Sequence, residues 1–149
     1  GMGGILMTEI LGNQIDKSLA FQKIILQPRN NVGKLRHWLY HHGFSIMKEQ
    51  LVREGKYICE IITAIPKEIA ITQNLGEDRI EYQFPLKLVE YNDPLLPTYL
   101  KEKHAVELHI LDLMKTNSNL DSKKIRSQVY RVEYLEYLLA LLDVRLPRS

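Results

Sequence analysis

Cysteine is nearly missing from this chain: 149 residues contain one, Cys59. An intramolecular disulfide is therefore excluded, and a reducing, cytoplasmic setting is the expectation. No pair of cysteines or histidines has zinc-ligand spacing on a convincing scaffold, so no metal is expected. No apolar run approaches the roughly 18 residues of a membrane span. The first residues lack the basic stretch and apolar core of a signal peptide. No membrane role is expected. Neither sign of charge dominates: 20 Lys and Arg against 18 Asp and Glu leave +2. That is too little to argue for nucleic acid, so the distribution of charge has to carry the argument. A Ser/His/Asp set, a Cys/His pair, a Walker lysine motif and a dinucleotide fingerprint are all missing, and no catalytic residue stands out.

What is present begins at the first residues. Gly1-Met2-Gly3-Gly4 runs straight into the apolar stretch Ile5-Leu6-Met7. Glycines at this density mark a backbone that turns sharply or approaches something closely. Read as the start of a helix, the corner offers free N–H groups to an electronegative ligand. The plainer alternative is a helix start that needs glycine for packing.

The first helix is expected from about Gly4 to Leu11, with a stop at Gly12-Asn13 and a connector from Gln14 to Phe21. Lys23 to Leu26 reads as a short buried strand that Pro28 ends. A second helix follows from the polar loop Gln27–Asn31, which carries an N-cap residue, with Val32, Leu35 and Leu39 on one face. Ile46–Arg53 and Lys56–Ile65 read as strands around a tight Glu54-Gly55 turn. This is an α/β pattern, the end of a sheet with one antiparallel strand. Residues 67–93 read as a connector, with Glu81–Phe84 weakly strand-like. Residues 94–149 read as two helices, 97–115 and from Asp121 or Ser122 to about 142. Tyr99, Val106 and Leu113 repeat every seven residues in the first, beside Leu96 and Ile110. Ile125, Val132 and Leu139, and also Leu135 and Leu142, do so in the second. An antiparallel helical hairpin of coiled-coil type is expected.

Some features stay open on sequence alone. His37 and His41 have a spacing that could hold a metal, but no third ligand is marked, and a solvated helix face is the simpler reading. Tyr130, Tyr134 and Tyr137 lie at helical spacing near Lys123, Lys124, Arg126 and Arg131. They form either an RNA-facing surface or a packing face. Glu60 is either a paired interior carboxylate or a solvated one, and Cys59 reads as a core residue.

Four segments occur in a fixed order: Gly1–Gly4; Ile25-Leu26-Gln27-Pro28; Leu35-Arg36-His37-Trp38-Leu39; and Glu54-Gly55-Lys56-Tyr57-Ile58-Cys59-Glu60. That order resembles the C-terminal half of the bacterial tRNA (adenine-22-N1)-methyltransferase family, the TrmK type. The similarity covers residues 1 to about 66, then Tyr99–Lys103 and the final hairpin. It implies residues 1–66 as the C-terminal half of a Rossmann-like methyltransferase sheet, 67–93 as connector and 94–149 as a coiled-coil domain. The implied cofactor is S-adenosylmethionine and the implied partner tRNA, with in-line methyl transfer to adenine N1. Gly1, Met2, Gly3, Gly4, Gln27, Pro28, Arg29 and Asn30 are implied on the target-base side. The amides of Gln27 and Asn30 can read base edges, and Arg29 can pair with a phosphate. RNA contact is expected from Lys34, Arg36, Lys56, Lys123, Lys124 and Arg126.

In the family the cofactor-holding motif lies in the earlier half. This chain alone is therefore expected neither to bind S-adenosylmethionine tightly nor to turn over. A sheet edge normally covered stands open, which invites pairing with a second copy. The alternative function is a noncatalytic RNA-binding or self-associating module derived from a methyltransferase.

Overall fold

A computed structural model describes residues 2–71 and 75–145. The chain forms two compact units, 1–93 and 94–149.

In the first unit, helix α1 spans Gly4–Asn13 and buries Met7 and Leu11. It runs past the expected stop at Gly12. A short helix, α2 (Ile15–Leu19), follows where a connector was expected. It is tied back by Ser18, whose hydroxyl donates to the Leu11 carbonyl at 3.1 Å. Strand β1 is Ile24–Leu26 and helix α3 is Val32–His41. The expected side-chain cap on α3 does not form. Asn31 adopts a left-handed conformation (φ 54°), and its amide donates to Asn30 instead.

Strands β2 (Phe44–Glu54) and β3 (Tyr57–Pro66) form the expected hairpin. Its two-residue loop has Gly55 at φ +60°, the first-position glycine that suits a tight turn. The sheet order is β1-β3-β2, with β3 antiparallel to both neighbours. β1 and β2 therefore run the same way with one reversed strand between them.

A bulge at Met47 interrupts the β2 ladder between Ile46, opposite Ala64, and Lys48, opposite Thr63. One extra residue reverses which side of the sheet later residues face. Phe44 and Ile46 thus share a face with Glu49, which stands opposite Ile62. That face packs on α1 and α3 through Met7, Leu11, Leu35, Leu39, Phe44, Ile46, Ile62 and Ala64. Trp38, Ile24 and Leu26 seal its margin.

The region expected to be strand-like at 81–84 is helical. Helices α4 (Ile80–Gln83) and α5 (Lys87–Glu90) bury Ile80, Leu88 and Val89. Helices this short are not stable alone, so tertiary anchors decided against the strand propensity of the aromatics.

The second unit is a helical hairpin of α6 (Leu96–Lys115) and α7 (Ser122–Arg145). Asp121 caps α7, its Oδ1 accepting from the Lys123 N–H at 3.0 Å. On α7 the expected Val132, Leu135 and Leu142 are buried, Ile125 and Leu139 are half-buried, and Leu138, which the heptads did not mark, is fully buried. The expected face of α6 is right only at its start. Tyr99 and Leu96 are buried as expected, but Val106, Ile110 and Leu113 are exposed, and Leu100, Glu107 and Leu111 are buried instead. Glu107 takes a core position because α7 supplies partners for it. Gln128 Nε2 donates to Glu107 Oε2 at 2.7 Å, and Arg131 Nη2 to Oε1 at 2.7 Å.

Candidate functional site

The structure brings the glycine corner and the loop after β1 together. The Arg29 N–H donates to the Met2 carbonyl at 2.8 Å, and the Gly4 N–H to the Asn30 carbonyl at 2.9 Å. Gly4 is required by this approach. A Cβ there would lie 2.6 Å from the Asn31 carbonyl oxygen and 2.8 Å from that of Asn30, both rigid backbone. Met2, Arg29 and Asn30 are exposed around the seam, while Pro28 is buried and presents no side chain to a ligand. Gln27 turns to the hairpin, where its Nε2 donates to Glu54 Oε1 at 2.9 Å. Gly1 lies outside the described residues.

The basic residues divide. Lys56, Lys123, Lys124 and Arg126 are exposed, and Lys34 stands 3.6 Å from Asp78. Arg36 corrects the expectation of RNA contact: it is completely buried. Its Nη2 reaches Glu49 Oε1 at 2.6 Å and Glu60 Oε2 at 2.7 Å, and its Nε reaches Glu49 Oε1 at 3.1 Å. Its Nη1 donates to the carbonyls of Tyr82 at 2.8 Å and Gln83 at 2.7 Å. Burial opposes the charge, but Glu60 and Glu49 outweigh it, and the guanidinium pKa is raised. Glu60 is thus a paired interior carboxylate. Tyr40 lies in the same surroundings, and burial with the nearby Glu49 pushes its hydroxyl up to about 12. Sequence reading missed this cluster, although an arginine amid the apolar residues of α3 was a signal.

Farther along α3, the His37 and His41 rings stack at 3.9 Å, with Tyr82 edge-on to His37 at 5.0 Å. Burial, and then the neighbouring His41, lower the His37 pKa.

One edge of this unit's sheet is open, and apolar side chains are exposed on β1 and α1. Among the described residues β1 pairs on one side only, with β3. Ile25 on that strand is 62% exposed, and Ile5, Leu6 and Ile10 on α1 are exposed too.

A family model described as tRNA (adenine(22)-N(1))-methyltransferase, TrmK, matches residues 1–134. The chain belongs to this family. Its TrmK relative in Bacillus subtilis (strain 168), a tRNA (adenine(22)-N(1))-methyltransferase, is 33% identical over 64 residues, covering 43% of this chain and 27% of that protein. A solved Streptococcus agalactiae protein of the NADB-Rossmann superfamily shares the fold, with a TM-score of 0.75 at 24% identity. That match covers 93% of this chain and 57% of that one. Mycoplasma capricolum TrmK, solved with S-adenosyl-homocysteine, does so with a TM-score of 0.70 at 20% identity, covering 95% of this chain and 58% of that one. The chain thus spans less than two thirds of the length of each of these relatives.

S-adenosylmethionine is the cofactor of the TrmK family. The described residues at the corner do not build a pocket for it. The space over Gly3 is filled by Asn30, whose Oδ1 lies 2.5 Å from where a Cβ would stand. A separate cavity of about 230 Å³, lined by Tyr40, Ile69, Ala70, Ile71, Leu75, Glu81 and Tyr82, has mostly apolar walls. Its one carboxylate, Glu81, is engaged by Arg79 at 2.9 Å. Neither place offers the convergent polar groups that a charged amino-acid tail and a ribose need.

Proposed function

We propose that this chain is the base-side and RNA-side portion of a tRNA adenine-N1-methyltransferase, in which cofactor-binding strands outside the chain complete a Rossmann-like sheet beside β1. The observation that carries this reading is the seam between Met2–Gly4 and Arg29–Asn30, in a chain matching TrmK over residues 1–134. Adenine N1 carries its own lone pair, so this portion has to orient the base rather than deprotonate it. The exposed side chains of Met2, Arg29 and Asn30 border the base. Gln27 contributes once its amide leaves Glu54. A base stacked or paired in the RNA is flipped out to reach them. The helical hairpin acts as a coiled-coil arm, and Lys34, Lys56, Lys123, Lys124 and Arg126 meet phosphates in the cytoplasm. Methylation of unmodified tRNA by this chain alone and by a chain extended upstream tests the assignment. Turnover is expected only from the extended protein. An extended protein that binds S-adenosylmethionine yet leaves tRNA unmethylated refutes it.

The open β1 edge, with exposed Ile25 beside it, favours a second reading: a noncatalytic RNA-binding module that self-associates through that edge. Sedimentation showing a concentration-dependent dimer, with no heat on adding S-adenosylmethionine, supports it. A cofactor titration by this chain alone removes it.

A further inference from the structure

The packing of the helical hairpin does not account for the tyrosines of α7. Each follows a buried residue by two positions: Tyr130 after Gln128, Tyr134 after Val132 and Tyr137 after Leu135. Two positions carry a helix about 200° round its axis, so the tyrosines line the side of α7 turned away from α6. Tyr130 is 45% exposed and Tyr137 53%, with Tyr134 half-buried between them. The Tyr130 and Tyr134 rings lie within 29° of parallel, their centroids 6.4 Å apart. Near-parallel rings on successive turns form a ridge, and rings exposed together rather than singly mark a contact surface.

Charge along α7 selects the partner. Lys123, Lys124 and Arg126 are exposed and lie at the Tyr130 end of the ridge, and carboxylates begin only at Glu133. Lys123 and Arg126 stand seven and four residues before Tyr130, which places them on the tyrosine side of the helix. Rings for stacking, with cations beside them for the backbone, match the chemistry of an unpaired nucleic-acid strand.

We propose that the ridge of Tyr130, Tyr134 and Tyr137 is a stacking site for unpaired bases of RNA, with Lys123 and Arg126 holding the adjoining phosphates. The inference rests on the tRNA reading above and deepens it. Phosphate contacts alone take any duplex, whereas a stacking ridge takes bases that have left their helix.

The double variant Tyr130→Leu/Tyr137→Leu tests it, because leucine keeps apolar bulk at both exposed positions and removes the ring faces. Tyr130→Phe/Tyr137→Phe keeps the faces and removes only the hydroxyls. The probes are unmodified tRNA, single-stranded oligoadenylate and an RNA duplex of the same length. The leucine variant is expected to keep its far-ultraviolet helical signal and to bind tRNA and oligoadenylate about tenfold more weakly. Its duplex affinity is expected to stay within about twofold, with the salt slope unaltered. The phenylalanine variant is expected to bind every probe within about twofold of the wild type. Should the double leucine variant lose its helical signal, Tyr130→Leu alone carries the same test, at about fivefold.

Unchanged affinity in the leucine variant overturns the proposal. So do an equal loss on the duplex, an equal loss in the phenylalanine variant, and a reduced salt slope, which marks a lost phosphate contact. A concentration-dependent dimer that the leucine variant abolishes, with RNA affinity unchanged, assigns the ridge to a second copy and overturns it too. Wild-type binding of tRNA that the leucine variant retains removes the ridge and leaves the tRNA reading standing. A wild type that binds oligoadenylate but not tRNA removes that reading, and the leucine variant's loss on oligoadenylate then upholds the ridge. A wild type that binds neither removes both.

Discussion

Each unit places a carboxylate–arginine network in its interior, and the two solve the problem of buried charge differently. In the first unit the cation is sealed: the Arg36 side chain has no exposed surface, and its two carboxylates have 4% and 10%. In the second the carboxylate is the enclosed partner. Glu107 has 10% exposure, whereas Arg131 keeps 22% and leads outward to water. Burial drives the Glu107 pKa up, but bonds from Arg131 and Gln128 outweigh it, and the net shift is downward. A sealed cation cannot recover hydration when a partner is lost, whereas a half-exposed one can. Breaking the first network is therefore expected to cost more than breaking the second.

Arg36→Met should separate the two units most sharply. It leaves Glu49 and Glu60 facing each other in an apolar interior, and a loss of about 3–5 kcal/mol is expected in urea unfolding. The loss should appear in the first unit, with the far-ultraviolet helical signal of the hairpin largely kept. Loss of both units together would break the contrast. Glu107→Ala comes next, with a cost of about 1–2 kcal/mol, since Arg131 can turn to solvent while Gln128 loses a partner. A cost equal to that of Arg36→Met would show that exposure is not what distinguishes the networks.

Acid gives the third separation. Glu107 is held below its ordinary value of 4.5, so its contribution is complete above that pH and is lost as pH falls through the lower folded value. A Glu107→Gln hairpin should lose less stability below pH 4.5 than the wild type. The smallest effect belongs to His37, whose folded pKa lies below its ordinary 6.5. Its contribution is present above 6.5 and fades as pH falls through the folded value, so the first unit begins to weaken in milder acid. His37→Gln should flatten that part of the pH–stability curve in thermal melts, and an unchanged slope would assign it to other groups.

Features that depend on neighbours in sequence were legible. The hairpin followed from Glu54-Gly55, the start of α7 from Asp121, and three of the buried residues of α7, Val132, Leu135 and Leu142, from its heptads. The corner formed by Met2–Gly4 and the loop after β1 was legible through the family resemblance. Features that depend on distant partners were not. Arg36 looks like a solvated helix cation until Glu49 and Glu60, 13 and 24 residues away, are seen beside it. The heptads of α6 pointed to Val106 and Leu113 because no local rule puts a glutamate in a core. Gln128 and Arg131, across the hairpin, make that position tolerable. Tyr82 and Phe84 suggested a strand because their β propensity is intrinsic, while the anchors that make the segment helical lie on α3 and β2.

The bulge at Met47 has a consequence for alteration of β2. Were Met47 to pair regularly instead, alternation would run unbroken from Phe44, Lys48 would turn to the side that holds Arg36, and Glu49 would turn away, pressing one cation against another. Deleting Met47 has the opposite outcome: the extra residue itself is gone, Lys48 still stands opposite Thr63 and Glu49 opposite Ile62, and the electrical polarity of the domain's centre is kept.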